Sequence, residues 1–224
     1  ISSLASGLVS LGASVTTSHK LVGLRHLIGS SLQQCVIDGP KSMAKIQRIL
    51  SALIDIYGAC IAVDGREGNR RLKIYETDRL NNTEKTLWPF PELIAAIWAK
   101  IDKQRSEIVI AITRAVGIVS KAALGNGVAN RRLLAQTVDE RALIVMIEAI
   151  DHKHSKVVLT SMIALWIAIY QSEAARAGLK RLLQSPLYVK SKLVNIIESC
   201  DSQLGSARDD METRVRVALS SYLT

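Results

Sequence analysis

Two stretches of the chain, LIAAIWAKIDKQRSEIVIAITRAV (residues 93–116) and ALIVMIEAIDHKHSKVVLTSMIAL (residues 142–165), repeat one pattern at a spacing of 49 residues. Each contains an apolar run, an acidic residue that opens a polar turn, and a second apolar run. Apolar side chains recur every three or four positions, which is the spacing of a helix. The pattern therefore predicts two pairs of antiparallel helices. We expect the core to hold these positions of the two copies: Ile101, Ile150, Val109, Val158 and Leu165.

The same spacing extends over most of the chain and predicts a helix content far above the usual third. A third, shorter copy of the pattern, LKRLLQSPLYVKSKLV, occupies residues 179–194. Asp139, Ser155 and Ser172 stand where helices are expected to begin, because their side chains can cap free backbone N–H groups. The predicted helices cover residues 1–14, 18–36, 40–63, 91–102, 104–123, 128–137, 139–151, 155–171, 172–184, 187–200 and 206–223.

From residue 91 to about residue 200 the chain resembles the HEAT and armadillo class of helical repeats. In that class a helix ends in an acidic or proline turn, and a second helix returns antiparallel to the first. The resemblance implies an all-α fold in which helical hairpins stack as a superhelix, here with an N-terminal bundle of helices. Stacking has a physical reason, since one hairpin cannot bury its apolar faces alone. The spacing is less regular than in a uniform array, because the 128–137 helix is inserted.

Residues 64–90 interrupt the helical pattern and suggest a division into N-terminal helices (1–63), a loop or linker (64–90) and a helical-repeat unit (91–224). Asp64-Gly65-Arg66-Glu67-Gly68-Asn69 has the composition of a turn, and Trp88-Pro89-Phe90-Pro91 is expected to be rigid and non-helical. A long loop in a compact domain is often functional. A mobile linker and one continuous domain are the alternatives. We expect residues 64–86 to be the most mobile segment or a contact site for a partner.

Composition favours an intracellular protein of the cytoplasm or nucleus. Hydrophobic residues make up 48% of the 224 residues and aromatic residues only 4%, which suits an aliphatic helical core. Cys35, Cys60 and Cys200 form no CxxC pair, so reduced thiols are expected rather than a disulfide framework or a zinc site. The chain begins with Ile1, and we expect it to be part of a longer protein. The strongest apolar run, 157–170, reaches roughly 21 Å as a helix and falls short of a bilayer core of about 30 Å.

The sequence contains no recognisable catalytic, cofactor-binding or metal-binding motif, so it predicts no enzymatic activity, no cofactor and no metal site. His152 and His154 are the only clustered histidines. A metal would need further ligands, and Lys153 between them repels a cation. A solvated turn is the interpretation we prefer. We expect Trp98 and Trp166 to be core residues rather than platforms for base stacking.

Basic residues recur in the turns of the three copies and predict a partner-binding surface. The net charge is +9, and residues 100–132 alone carry seven Lys or Arg against two Asp or Glu, an excess of +5. If the hairpins stack, equivalent turns lie side by side and their charges form a basic ridge for phosphates, an acidic peptide or acidic lipid. A solvated face without function is the alternative. The basic ridge comprises Lys103, Arg105, Lys153, Lys156, Lys190 and Lys192.

These features predict a non-enzymatic scaffold or adaptor that binds a partner protein, one with an acidic segment, through a helical-repeat surface. The alternative is a basic helical nucleic-acid-binding protein, such as a viral nucleoprotein or a capsid-like domain. Few aromatic residues are available for base stacking, which favours the scaffold. The oligomeric state is left open.

Overall fold

In the computed structural model the chain is described over residues 15–66, 88–123, 139–170 and 172–223, and every regular element in those ranges is a helix. The all-α prediction is therefore confirmed. The predicted helices 1–14 and 128–137, and residues 67–87 of the predicted loop, lie outside the described residues. The α-helices are α1 (Val15–Asp38), α2 (Pro40–Arg66), α3 (Phe90–Trp98), α4 (Ser106–Ala123), α5 (Glu140–Ile150), α6 (Ser155–Ile169), α7 (Glu173–Gln184), α8 (Lys192–Ser199) and α9 (Met211–Leu223).

Several helix boundaries differ from the predicted ones. Helix α2 continues through Asp64-Gly65-Arg66, so the predicted turn is wrong over these three residues, and the rest of it, 67–69, lies outside the described residues. The prediction that Trp88-Pro89-Phe90-Pro91 is non-helical is also wrong at its end, because α3 begins at Phe90. Pro91 fits the first turn, where its missing N–H would have no partner within the helix. The caps predicted at Asp139 and Ser172 are confirmed, since both side chains accept backbone N–H groups. The cap predicted at Ser155 is wrong, because Ser155 is already the first residue of α6 and His154 precedes it at the N-cap without a side-chain cap bond.

The third copy departs further from the predicted hairpin. Residues 185–191 form a hydrogen-bonded turn instead of opening a helix at 187, because Ser185 O accepts both Tyr188 N and Val189 N at 3.0 Å. Helix α8 starts only at Lys192, where the Ser191 side chain accepts the N–H of Val194. The predicted 206–223 helix is likewise shortened to α9, which follows two 3-10 turns, Asp201–Gln203 and Gly205–Asp209.

The helices pack as two rows: the first contains α1, α3, α5, α7 and α8, and the second contains α2, α4, α6 and α9. In the second row α2 contacts α4, α4 contacts α6 and α6 contacts α9. In the first row α1 contacts α3, α3 contacts α5, and α5 contacts α7 and α8. The rows meet where α1 packs on α2, α5 on α6 and α8 on α9. It is α9 that lies beside α6 in the second row, a place that a regular third hairpin would give to α8.

Small residues bring the second-row helices close together. A Cβ added at Gly58 of α2 would lie 2.8 Å from the Cβ of Ala115 in α4. A Cβ added at Gly117 of α4 would lie 3.3 Å from the Cβ of Ala164 in α6. Ala115 and Ala164 are equivalent in the 49-residue repeat. The same contact, a glycine of one helix on an alanine of the next, is therefore made twice in succession.

One hydrophobic cluster runs through both rows, from Ile28 of α1 to Leu219 of α9. Of the predicted core residues, Ile150, Val109, Val158 and Leu165 are completely buried, which confirms those four. Ile101 is only partly buried, because α3 ends at Trp98 and leaves Ile101 in the turn that follows. Cys35, Cys60 and Cys200 form no disulfide, and Cys60 and Cys200 are buried like small hydrophobic residues.

We expect the exchange Ile150→Ala to lower the free energy of unfolding by about 2–5 kcal/mol, because it opens a cavity in a fully packed site. Ile101→Ala removes the same atoms at the equivalent repeat position, but from a partly exposed side chain, and should have a clearly smaller effect. Urea denaturation of both variants measures the difference. Equal losses would contradict the assignment of Ile101 to the turn.

The close approach at Gly58 predicts that Gly58→Ala is destabilising by about 1–3 kcal/mol, since the new methyl group overpacks against Ala115. In a helix without such contact the same change adds up to about 1 kcal/mol of stability. Gly178→Ala in α7 is the matched control, because its Cβ would lie 3.4 Å from Leu143 Cδ1, an ordinary distance. Thermal denaturation should show opposite signs for the two variants, and stabilisation by Gly58→Ala would refute the close contact.

Candidate functional site

The turns that carry the basic ridge meet at the carboxyl end of α5. Lys103, from the turn between α3 and α4, places its Nζ 2.8 Å from Glu148 Oε2. Tyr188, from the turn 185–191, donates its hydroxyl to Glu148 Oε1 at 3.3 Å. The backbone N–H of Lys192 donates to Asp151 Oδ1 at 2.7 Å. The turn between α3 and α4 and the segment 185–192 thus both contact the end of α5 or Asp151, the residue directly after it, where the third turn of the ridge begins.

Glu148 links these turns to the core through a tryptophan. The indole Nε1 of Trp98 donates to Glu148 Oε2 at 2.7 Å, and the ring itself is buried. Lys103 Nζ also lies 4.8 Å from the centroid of the Trp98 ring, within the range of a cation–π interaction. Trp98 is therefore a core residue, as predicted, whose polar edge holds the carboxylate in place. Trp166, predicted to be core as well, is only partly buried.

The surroundings of Glu148 stabilise its charged form. Partial burial by itself would raise the pKa of Glu148, but the hydrogen bonds from Lys103, Trp98 and Tyr188 outweigh it and hold the pKa below its ordinary value. Burial, together with the adjacent Glu148 carboxylate, raises the pKa of Tyr188, so its hydroxyl stays protonated and donates. At neutral pH the Lys103 charge is balanced by an ionised glutamate.

The remaining members of the basic ridge differ in whether their side chains form an ion pair. Arg105 lies 3.8 Å from Asp102, a long ion pair between two exposed side chains. Lys153, Lys156 and Lys190 are exposed and form no ion pair within the described residues. Lys103 is therefore part of a structural cluster, whereas these three lysines keep their charges available to a ligand.

The turn with the clustered histidines is held by its own backbone. His152 Nδ1 accepts the backbone N–H of His154 at 2.9 Å, so this ring nitrogen is already engaged. His152 is partly buried and His154 is exposed. In the described part of the chain, no three His, Cys, Asp or Glu side chains are grouped as metal ligands.

A second candidate surface, which the sequence reasoning missed, lies on the flanks of α4 and α6. Because these helices have neighbours on both sides and the first row behind them, their exposed stripes form the outside of the second row. Equivalent repeat positions supply the stripes, and in α6 they are mostly aliphatic, with Ile163 39% exposed. The signal for this surface in the sequence is that apolar residues, spaced three or four apart, also occupy helix positions that face away from the core. We call this surface the second-row face: Ile110, Arg114 and Ile118 of α4, and Leu159, Ile163 and Ile167 of α6.

One ion pair ties the second-row face to α2. Arg114 Nε lies 3.3 Å from Asp55 Oδ1, and Asp55 is buried while Arg114 is exposed. Burial raises the pKa of Asp55, and the positive charge of Arg114 offsets this only in part. The pair therefore leaves the Arg114 guanidinium in the surface beside Ile110 and Ile118, where a partner can reach it.

Comparison of the chain with protein-family models, with curated proteins and with solved structures yields no match. Among the helices that the structure describes, none combines the length and apolar character needed to cross a membrane. The candidate surfaces are accordingly interpreted from their own geometry and charge.

The Glu148 cluster predicts a pH-dependent contribution to stability. Because the pKa of Glu148 is lowered in the folded state, its contribution is complete above the unfolded value of about 4.3 and is lost as the pH falls through the folded value. Glu148→Gln should lower the free energy of unfolding by about 1–2 kcal/mol at pH 7. The difference from the unsubstituted protein should shrink below about pH 4.

Urea denaturation from pH 7 to about pH 3 measures this dependence. Glu198→Gln is the control, because Glu198 is exposed on α8 and forms no described ion pair, so its effect should stay below about 0.5 kcal/mol. A Glu148→Gln difference that does not change with pH would contradict the charge-assisted cluster.

Proposed function

We propose that this protein is a non-enzymatic scaffold or adaptor, a superhelix of the HEAT and armadillo type that binds a partner protein on the second-row face. The observation that carries the proposal is the apolar character of this face at equivalent repeat positions. Ile110 corresponds to Leu159 and Ile118 to Ile167, and all four are partly buried. A protein partner that covers such aliphatic side chains gains the free energy of their removal from water, at about 25 cal/mol per Å².

The packing of the second row supports the superhelical arrangement. Gly58 on Ala115 and Gly117 on Ala164 are successive contacts of one kind, which is what a repeated step along a solenoid requires. A row built in this way presents side chains of several helices as one extended surface. The charged Arg114 beside the aliphatic residues supplies the specificity that apolar contact lacks, because an acidic group on a partner can pair with it.

Binding of nucleic acid is the second candidate, and the free lysines of the basic ridge favour it. Lys153, Lys156 and Lys190 can approach phosphates, and the net charge of +9 attracts a polyanion. Aromatic side chains for base stacking are scarce at this edge, since Trp98 is buried and Tyr188 is bonded to Glu148. The protein-binding proposal therefore comes first.

The exchange Ile163→Glu should abolish binding of the partner protein, because it buries a charge at the centre of the apolar face. Leu27→Glu is the matched control, since Leu27 is 64% exposed on α1 in the first row. Affinity capture from nuclease-treated lysate, with cross-links mapped by mass spectrometry, compares both variants with the unsubstituted protein. We expect one set of proteins to be retained by Leu27→Glu, lost by Ile163→Glu, and cross-linked to α4 and α6.

The combined reversal of Arg105, Lys156 and Lys190 to Glu separates the two candidates. On the scaffold proposal it changes the capture little, and salt has little effect. Loss of capture in this variant alone, or capture that occurs only from a lysate without nuclease, would refute the second-row face and favour the nucleic-acid alternative. Circular dichroism of each variant verifies that the fold is retained.

A further inference from the structure

The turn 185–191 carries exposed aliphatic side chains that the protein-binding proposal does not use. Leu187 is 82% exposed, the highest value among the large hydrophobic residues that the structure describes as exposed, and Val189 is 47% exposed. They alternate with Tyr188, whose side chain turns back to Glu148. Lys190 follows directly and is exposed. Two aliphatic side chains therefore project into water at a position where lysines are close by.

Hydrogen bonds fix this turn to the end of α5. The N–H groups of Tyr188 and Val189 both donate to Ser185 O, and Ser191 N donates to Tyr188 O at 2.9 Å. The side-chain contact of Tyr188 with Glu148 and the backbone contact of Lys192 with Asp151 attach it to α5. The exposure of Leu187 thus belongs to a defined turn with two anchors.

The charges around the turn are unbalanced in favour of lysine. The segments 151–154 and 185–192, which meet here, contain three lysines, Lys153, Lys190 and Lys192, against one carboxylate, Asp151. Glu148 at the end of α5 is balanced by Lys103. Lys153, two residues beyond Asp151, and Lys190 form no ion pair within the described residues, and both are exposed. The field that surrounds Leu187 is therefore positive.

We propose that this edge docks onto the surface of an anionic lipid bilayer. Leu187 and Val189 enter the interface between headgroups and acyl chains, while Lys153, Lys156 and Lys190 lie among the lipid phosphates. Buried apolar area and attraction between basic residues and anionic lipid are the two contributions that hold peripheral proteins on membranes. We choose a bilayer as the partner because its acyl chains provide an apolar environment for an exposed aliphatic side chain. Nucleic acid provides no such environment in which Leu187 could be buried.

Sedimentation with vesicles tests the proposal on the full 224-residue chain. The vesicles consist of phosphatidylcholine alone or of phosphatidylcholine with about one third phosphatidylserine. We expect binding to the anionic vesicles only, with an affinity that falls as salt rises, because the Debye length shortens from about 10 Å at 0.1 M to about 3 Å at 1 M. Equal binding to both kinds of vesicle, or binding to neither, would overturn the proposal.

Two variants separate the apolar from the electrostatic contribution. Leu187→Ser should weaken binding about tenfold, the effect of withdrawing about two methylene groups from the interface. Lys153→Glu with Lys190→Glu should weaken it at least about thirtyfold, since each lysine near the surface contributes about fivefold. The matched controls are Leu223→Ser, at a leucine that is 61% exposed on α9, and Lys121→Glu with Arg216→Glu, at exposed basic residues of α4 and α9.

The controls should bind like the unsubstituted protein, and thermal denaturation should show that every variant is folded. If Leu187→Ser binds anionic vesicles as well as its control does, the turn does not enter a bilayer and the proposal fails. Binding of a homopolymeric RNA that competes with the vesicles, depends on Lys153 and Lys190 and ignores Leu187 would assign the edge to nucleic acid instead. Loss of vesicle binding in the Lys121 and Arg216 control would reduce the interaction to net charge and equally refute the site.

Discussion

The rest of the structure depends on the close approach of α2, α4 and α6. Gly58 meets Ala115, and Gly117 meets Ala164, at distances that leave no room for a further methyl group at Gly58 and little at Gly117. Because each glycine admits only a small side chain opposite it, these two contacts constrain the register of the second row. The first row is then positioned by the apolar side chains between the two layers. The buried hydroxyls are compatible with this close packing. Those of Thr113, Ser120 and Ser161 donate to carbonyls of their own helices and need no partner in the neighbouring helix.

The turns at the end of α5 are organised by electrostatics instead of close packing. Glu148 accepts hydrogen bonds from Trp98, Lys103 and Tyr188, and Asp151 accepts the backbone N–H of Lys192 at the start of α8. The charge of Glu148 is balanced by Lys103, and Asp151 is the one carboxylate among three lysines in the segments 151–154 and 185–192. The charge of these segments is therefore positive.

The two proposed surfaces occupy different parts of the molecule. The second-row face lies on the flanks of helices, whereas the basic ridge and the turn 185–191 lie at helix ends and connections. A ligand on one leaves most of the other accessible. A scaffold that holds a protein on its helical flank and rests on a charged lipid surface through its turns would bring that partner to a membrane. Each interaction uses a different force, since apolar burial dominates on the flank and charge dominates at the edge.

The sequence by itself determined the all-α class, the 49-residue repeat and most of the buried positions, because helical spacing of apolar residues records which side of a helix faces the core. It did not determine that Ile101 lies in a turn or that residues 185–191 form one, since both depend on hydrogen bonds local to segments of helical composition. It predicted which lysines belong to the basic ridge but not which of them are paired with a carboxylate. Lys103 is neutralised by Glu148, 45 residues away in the chain, and Lys153 is not, and only the folded arrangement of the turns distinguishes them. The second-row face and the glycine–alanine contacts likewise exist only where separate helices meet, because exposure and closeness are properties of neighbours that a single helix does not specify.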